Sequence, residues 1–212
     1  MRCTPSSIPE VLIVEPDVHR DGRGFFVETY QAEKYRVSGI AGVFVQDNHT
    51  RSRARTIRGL HMQRRRPQAK LIRVIAGEIF DVAVDLRRGS PSFGRSVSVV
   101  LSADNFKQCY IPTGFAHGFC VLTSTADVEY KCTELYDPAD EFGVAWNDPA
   151  LAIEWPVTDP LLSDRDRRNP TLAEVTDKLP SYRGTPDPRG TPRKSVQHRR
   201  SLPVSPWART LL

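Results

Sequence analysis

The chain has 212 residues, 39% of them hydrophobic, enough to build one core and predicting one domain with an extension. Its formal charge of +5 is uneven, because residues 181–212 hold seven of the 30 basic side chains and one of the 25 acidic ones. The remaining 23 basic and 24 acidic residues imply no basic face on the folded part, which argues against a nucleic-acid partner.

No apolar run approaches membrane-spanning length and no signal-peptide pattern opens the chain, so a cytoplasmic protein with no membrane partner is expected. Cys3, Cys109, Cys120 and Cys132 lack CxxC spacing. Three of them sit in strand-like runs, which predicts buried free thiols in a reducing compartment. In chain order, residues 11–15 form a short apolar run stopped by Pro16, a predicted strand. Asp21-Gly22-Arg23-Gly24 is a turn signal. Residues 31–38 predict a short helix closed by Gly39. Strands are predicted over 43–48 and 56–62, and the runs 71–76 and 79–86 predict a hairpin about Gly77-Glu78. In its second arm Phe80, Val82, Val84 and Leu86 alternate with Asp81, Ala83 and Asp85, the period of a half-buried strand. Val97, Val99 and Leu101 continue that alternation, and further strands are expected over 107–111, 116–122 and 128–135. Many short strands with little helical periodicity predict an antiparallel sandwich or barrel. After Asp137-Pro138 come loops pinned by Trp146 and Trp155, then a helical turn over 164–168 with Ser163 as its N-cap. The Pro, Gly, Arg and Ser content after about residue 179 predicts a disordered extension over 180–212 beyond a domain of 1–179.

Ile57 to Gln63 and Lys70 bring a histidine, an arginine and a lysine into adjoining predicted strands. Two glycine-bounded segments, each with a histidine, resemble the motifs of the cupin superfamily, a double-stranded β-helix or jelly roll whose members often bind metal. His61 and His117 fit histidine positions of those motifs, but Gln63 stands where a second histidine belongs, Lys70 where a glutamate belongs, and Val121 where an asparagine belongs. A lysine ammonium repels a cation and the donor set is too small, so no metal is expected. A base working near neutral pH beside cations suits another chemistry, proton abstraction alpha to a carbonyl. Histidine alone in a strand is more often a hydrogen-bonded structural residue, and the run Arg64-Arg65-Arg66 reads as a solvated loop.

The segments 21–28 (DGRGFFVE), 44–49 (FVQDNH), 58–63 (RGLHMQ), 70–74 (KLIRV), 77–87, 111–119 (IPTGFAHGF), 129–133 and 162–166 (LSDRD) occur in an order that resembles the dTDP-4-dehydrorhamnose 3,5-epimerase family. The resemblance covers about residues 11–172. It implies a cofactor-independent epimerisation of dTDP-4-dehydro-6-deoxy-D-glucose at C3 and C5. His61 matches the base, Asp166 the carboxylate paired with it, Tyr130 the acid on the opposite ring face, and Lys70 the enolate-stabilising cation. Gln46, Asp47, Asn48, Arg58 and His117 match groups that bind sugar and diphosphate. Arg23, Phe26 and Glu28 match nucleotide contacts that reach across a homodimer interface. Tyr136 matches a thymine-stacking residue, and Glu141 and Arg165 match further ligand contacts. The chain departs from the family pattern at Met62, where tyrosine is common, and at Thr50, where serine is usual. An epimerase acting at one carbon only, a metal-dependent cupin and a non-catalytic nucleotide-sugar binder stay as alternatives.

Overall fold

The computed structural model describes residues 1–40, 42–182 and 184. Its first compact unit is Met1–Tyr182. The predicted extension begins at 180, yet Ser181 still bridges to Arg88, and Pro180 O accepts from Arg88 N. The remainder of that prediction, residues 183 and 185–212, lies outside the described residues.

Among the described residues thirteen strands can be traced: β1 (Arg2–Pro5), β2 (Leu12–Glu15), β3 (Val18–Asp21), β4 (Gly24–Val27), β5 (Gln46–Arg53), β6 (Ile57–Gln63), β7 (Lys70–Ala76), β8 (Glu78–Asp85), β9 (Ser96–Ser102), β10 (Gln108–Ile111), β11 (Phe115–Val121), β12 (Thr125–Cys132) and β13 (Glu141–Gly143). A six-stranded sheet runs β1-β2-β10-β7-β12-β5, and a five-stranded sheet runs β13-β6-β11-β8-β9. β3 and β4 pair separately. All these pairings are antiparallel, and the two sheets enclose a core that includes Ile72, Val74, Ile79, Leu101, Ile111, Phe119 and Val128. This is a cupin-like jelly roll.

Two further cores cover the outer faces. Phe80, Val82, Val84 and Leu86 point away from the barrel interior and pack under Leu151, Leu172, Val175 and Leu179 of the C-terminal segment. Helix α1 (Ala32–Val37) is capped by the Gln31 side chain and buries Tyr35 in a third cluster with Val14, Leu71 and Tyr110. Cys109, Cys120 and Cys132 are buried free thiols in β10, β11 and β12.

Three expectations need correction. The strand expected over 43–48 begins at Gln46, because the pairing Cys132↔Gln46 through Thr125↔Arg53 fixes its register, while Val43 and Val45 are exposed. The runs about Gly77-Glu78 are not a hairpin, since β7 pairs with β10 and β12 whereas β8 pairs with β11 and β9. Gly77 carries the chain from one sheet to the other at φ +77°, where a Cβ would lie 2.2 Å from Thr125 O. Nor is β8 half-buried, for both of its faces are covered and Asp81 and Asp85 occupy the inward phase. Asp85 is compensated locally by Arg87, Ser90 and Ser92. Asp81 faces the cavity histidine described next.

Candidate active site

The open end of the barrel holds a cavity of about 710 Å³, in the range of small-molecule sites. Two elements of the five-stranded sheet supply its first wall. On β6, Arg58 and His61 are three residues apart and would point to opposite faces of a regular strand. They line the same cavity because β6 carries an extra residue against β11, where His117 pairs with His61 but Phe119 pairs with Arg58. Gly59 makes that bulge possible. Its φ is +117°, and a Cβ there would lie 2.6 Å from both Gly118 Cα and His117 O.

His61 Nε2 lies 2.6 Å from Asp166 Oδ1. Asp166 is delivered by a 3₁₀ turn, Asp166–Arg168, whose first N–H donates to Ser163 Oγ at 3.1 Å. Burial pushes the Asp166 carboxyl upward, but hydrogen bonds from His61 and Ser163 outweigh it and its pKa is lowered. An ionised carboxylate accepts only, so Nε2 carries the proton and Nδ1 is left as the basic nitrogen. Arg165 Nη2 lies 2.8 Å from the same Nε2. A protonated nitrogen cannot also accept from a guanidinium, so Arg165 is held there by its ion pair with Glu141 instead. Glu141 in turn accepts from Tyr136 OH at 2.7 Å. Burial would raise Glu141, but Arg165, Tyr136 and His61 hold its pKa below the ordinary range.

The six-stranded sheet forms the opposing wall. β5 turns Gln46, Asn48 and Thr50 into the cavity. Gln46 accepts from Tyr136 N and donates to Asn48. Lys70 of β7 and Tyr130 of β12 project from the same sheet, the Lys70 ammonium 6.0 Å from the Tyr130 ring centre. Burial lowers the Lys70 pKa and raises that of Tyr130, so the ammonium is made acidic while the phenol is kept protonated.

Eleven of the fifteen residues predicted for the site line this one cavity; Asp47, Arg23, Phe26 and Glu28 do not. Asp47 lies on the outward phase of β5 and pairs with Lys131 at 2.9 Å. Arg23, Phe26 and Glu28 lie on or just after the exposed β3–β4 hairpin, where Arg23 pairs with Asp21 and Glu28 with Lys34. The sequence reading overlooked Asp81, which is buried 2.7 Å from His117 Nε2, and the cavity-lining Gln68, Leu161, Leu162 and Ser163. The strand alternation put Asp81 in phase with Ala83 and Asp85, which was the available signal.

The positions that hold metal ligands in many cupins carry a set that does not fit a cation. His61 Nε2 is committed to Asp166 and His117 Nε2 to Asp81. The Gln63 amide donates to Arg66 O and Leu135 O and accepts from Asp137 N. The fourth position is the Lys70 ammonium.

A family model described as dTDP-4-dehydrorhamnose 3,5-epimerase matches residues 5–174. A dTDP-4-dehydrorhamnose 3,5-epimerase of Pseudomonas aeruginosa is 50% identical over 177 residues, covering 82% of this chain and 98% of that protein. One from Neisseria gonorrhoeae is 48% identical over 171 residues, covering 80% of this chain, which spans only 52% of that relative's length. Among solved structures, the dTDP-6-deoxy-D-glucose-3,5-epimerase of Legionella pneumophila, crystallised with dTDP-4-keto-L-rhamnose, superposes with a TM-score of 0.84 at 47% identity. That match covers 86% of this chain and 99% of the other.

Proposed function

We propose, because the chain belongs to the dTDP-4-dehydrorhamnose 3,5-epimerase family, that its cavity epimerises dTDP-4-dehydro-6-deoxy-D-glucose at C3 and C5 to dTDP-4-dehydro-L-rhamnose. One observation carries the reading. His61 enters from one sheet, paired with Asp166 of the 3₁₀ turn, and a buried tyrosine beside a lysine, Tyr130 and Lys70, enters from the other sheet.

The C4 ketone makes the hydrogens on C3 and C5 acidic. His61 Nδ1 takes one of them, and Asp166 stabilises the imidazolium that results. The electron pair moves into the enolate, whose oxygen is held by the Lys70 ammonium. Tyr130 returns a proton from the other side, and solvent restores the phenol and the imidazole. A proton that leaves one face and returns on the other inverts the carbon. Both carbons flank the same ketone, so one constellation serves both. Substrate and product are isomers, and no net electron transfer is needed. Arg58 and Arg165 present guanidinium groups to the diphosphate, with fork geometry suited to phosphate oxygens, and Tyr136, half-exposed at the rim, gives a face for thymine.

A homodimer is part of this reading. Phe25 and Phe26 are 58% and 69% exposed on the β3–β4 hairpin, outside the cavity of their own chain, and suit a role at a second copy's site. Among the described residues no helix is long and apolar enough to cross a membrane. The three buried free thiols fit a reducing compartment, the cytoplasm.

Tyr130→Phe tests the two-faced arrangement. Wild-type protein is expected to convert the dTDP-4-keto-6-deoxyglucose substrate to the L-rhamno product, followed by NMR. Tyr130→Phe is expected to exchange substrate hydrogen with solvent through His61 while forming product about 10²- to 10³-fold more slowly. Wild-type product formation by Tyr130→Phe would remove tyrosine from the reaction, and no conversion by the wild type would refute the activity.

A further inference from the structure

The steps above leave a buried charge behind the cavity-lining His117 without a task. Asp81 on β8 is 1% exposed, and its register neighbour on the same inward phase is Ala83, the partner of His117 on β11. That diagonal placement brings Asp81 Oδ1 within 2.7 Å of His117 Nε2. Its Oδ2 is buried with no hydrogen-bond partner among the described residues. Flanking positions on the same face are apolar, Ile79 and Ala83, so packing alone would be served better by another apolar side chain. A carboxylate kept there at a cost suggests work done on its neighbours.

Three neighbours lie within its reach, and one of them is the buried Cys109 thiol of β10, which burial and then the Asp81 charge keep protonated. His117 lines the cavity, and with Nε2–H given to Asp81 only Nδ1 can turn toward a ligand. Lys70 enters from the opposite sheet, and burial alone drives its ammonium toward neutrality. The groups that oppose that drive are Cys132 on β12, Glu141 on β13 and Asp81 on β8. Cys132 is a thiol whose own pKa burial raises, so it supplies little charge. Glu141 is already paired with Arg165 and Tyr136. The remaining groups around Lys70 are the Tyr130 ring and, across the cavity, the cation Arg58 and His61. Asp81 has no lysine or arginine partner in ion-pair contact among the described residues, and the Cys109 thiol beside it is neutral, so the cation its charge can act on is Lys70 and its direct partner is His117.

We propose that Asp81 is a positioning residue for this reaction, fixing His117 in its Nε2–H form and balancing the Lys70 ammonium where the enolate oxygen develops. The inference rests on the epimerase reading and adds a member to its site. His117 then offers the sugar an acceptor only, and Lys70 keeps its proton through the turnover.

Asp81→Asn keeps the shape and one oxygen that can accept from His117, but removes the charge. It is expected to lower kcat about 10- to 100-fold, the span of one charge-assisted hydrogen bond. Affinity for dTDP alone should be unchanged, which also reports that the variant is folded. The alkaline limb of kcat/KM should move to lower pH, because Lys70 loses its proton more readily without the anion. A dTDP-binding Asp81→Asn protein with wild-type kcat and an unmoved alkaline limb overturns the proposal. Long-range 1H–15N NMR of the wild-type protein gives a second test that needs no variant. His117 protonated at Nε2 is expected, and protonation at Nδ1 alone overturns the proposal. If wild-type protein binds dTDP but converts no substrate, the epimerase reading fails, whereas the NMR result still decides the Asp81–His117 contact.

Discussion

His61→Ala is expected to lower kcat/KM by about 10³- to 10⁴-fold, the contribution of a well-placed general base. Isotope exchange at the carbons next to the ketone should fall with it, because no other group shares the His61 position against Asp166. The substitution also strands a carboxylate that is 4% exposed, so stability should fall by about 1–3 kcal/mol at neutral pH. The sign follows from linkage. Asp166 has a lowered pKa in the folded chain, so its hydrogen bonds stabilise the fold above the unfolded carboxyl pKa, and that stabilisation is lost as pH falls through the folded value. The stability gap between wild type and His61→Ala should therefore narrow in acid. His61→Asn separates the two effects, since its amide can still donate to Asp166 but cannot serve as a base. It should recover much of the stability and none of the exchange. Full activity in a folded His61→Asn protein would assign the base elsewhere.

Lys70→Met should cost about 10²- to 10³-fold in kcat, the scale of one preorganised donor at a developing oxyanion. KM should change little, because the charge on the C4 oxygen exists only after the proton has left. The pH profile gives a sharper test. Burial lowers the Lys70 pKa and raises that of Tyr130, so the fold makes the lysine proton easier to lose and the tyrosine proton harder. The alkaline limb of kcat/KM in the wild type is then the loss of the Lys70 proton, and Lys70→Met should remove that limb while lowering the plateau. A limb that persists unchanged in the variant would belong to another group.

These expectations depend on residues of very different legibility in the sequence. The histidine, lysine and tyrosine were readable because they lie in segments similar to a known family, and the apolar alternation of β8 and β9 was readable because one phase is continuous. The pairing of strands was not, because Gly77-Glu78 gives the same turn signal whether the next strand returns along its predecessor or crosses to the facing sheet. β5 was misplaced by three residues at its start and five at its end for a related reason. Its inward residues Gln46, Asn48, Thr50 and Ser52 face a polar cavity, so the strand lacks the apolar phase by which strands are recognised. Arg58 and His61 sharing one wall could not be deduced from a period of two either, since it takes the extra residue at Gly59. Asp81 escaped notice because an acidic residue alternating with apolar ones looks solvent-facing, and here the polar phase of β8 faces inward. Asp47 was included with its neighbours Gln46 and Asn48, although alternation along β5 sends it to the outer face.

The most direct measurement is turnover of dTDP-4-keto-6-deoxyglucose by the wild-type protein in D2O, with the product examined by NMR. Solvent deuterium at both C3 and C5, together with inverted configuration at both, is the predicted result. Deuterium at one carbon only would contradict the double epimerisation, and a substrate recovered without deuterium would contradict proton abstraction at this site altogether.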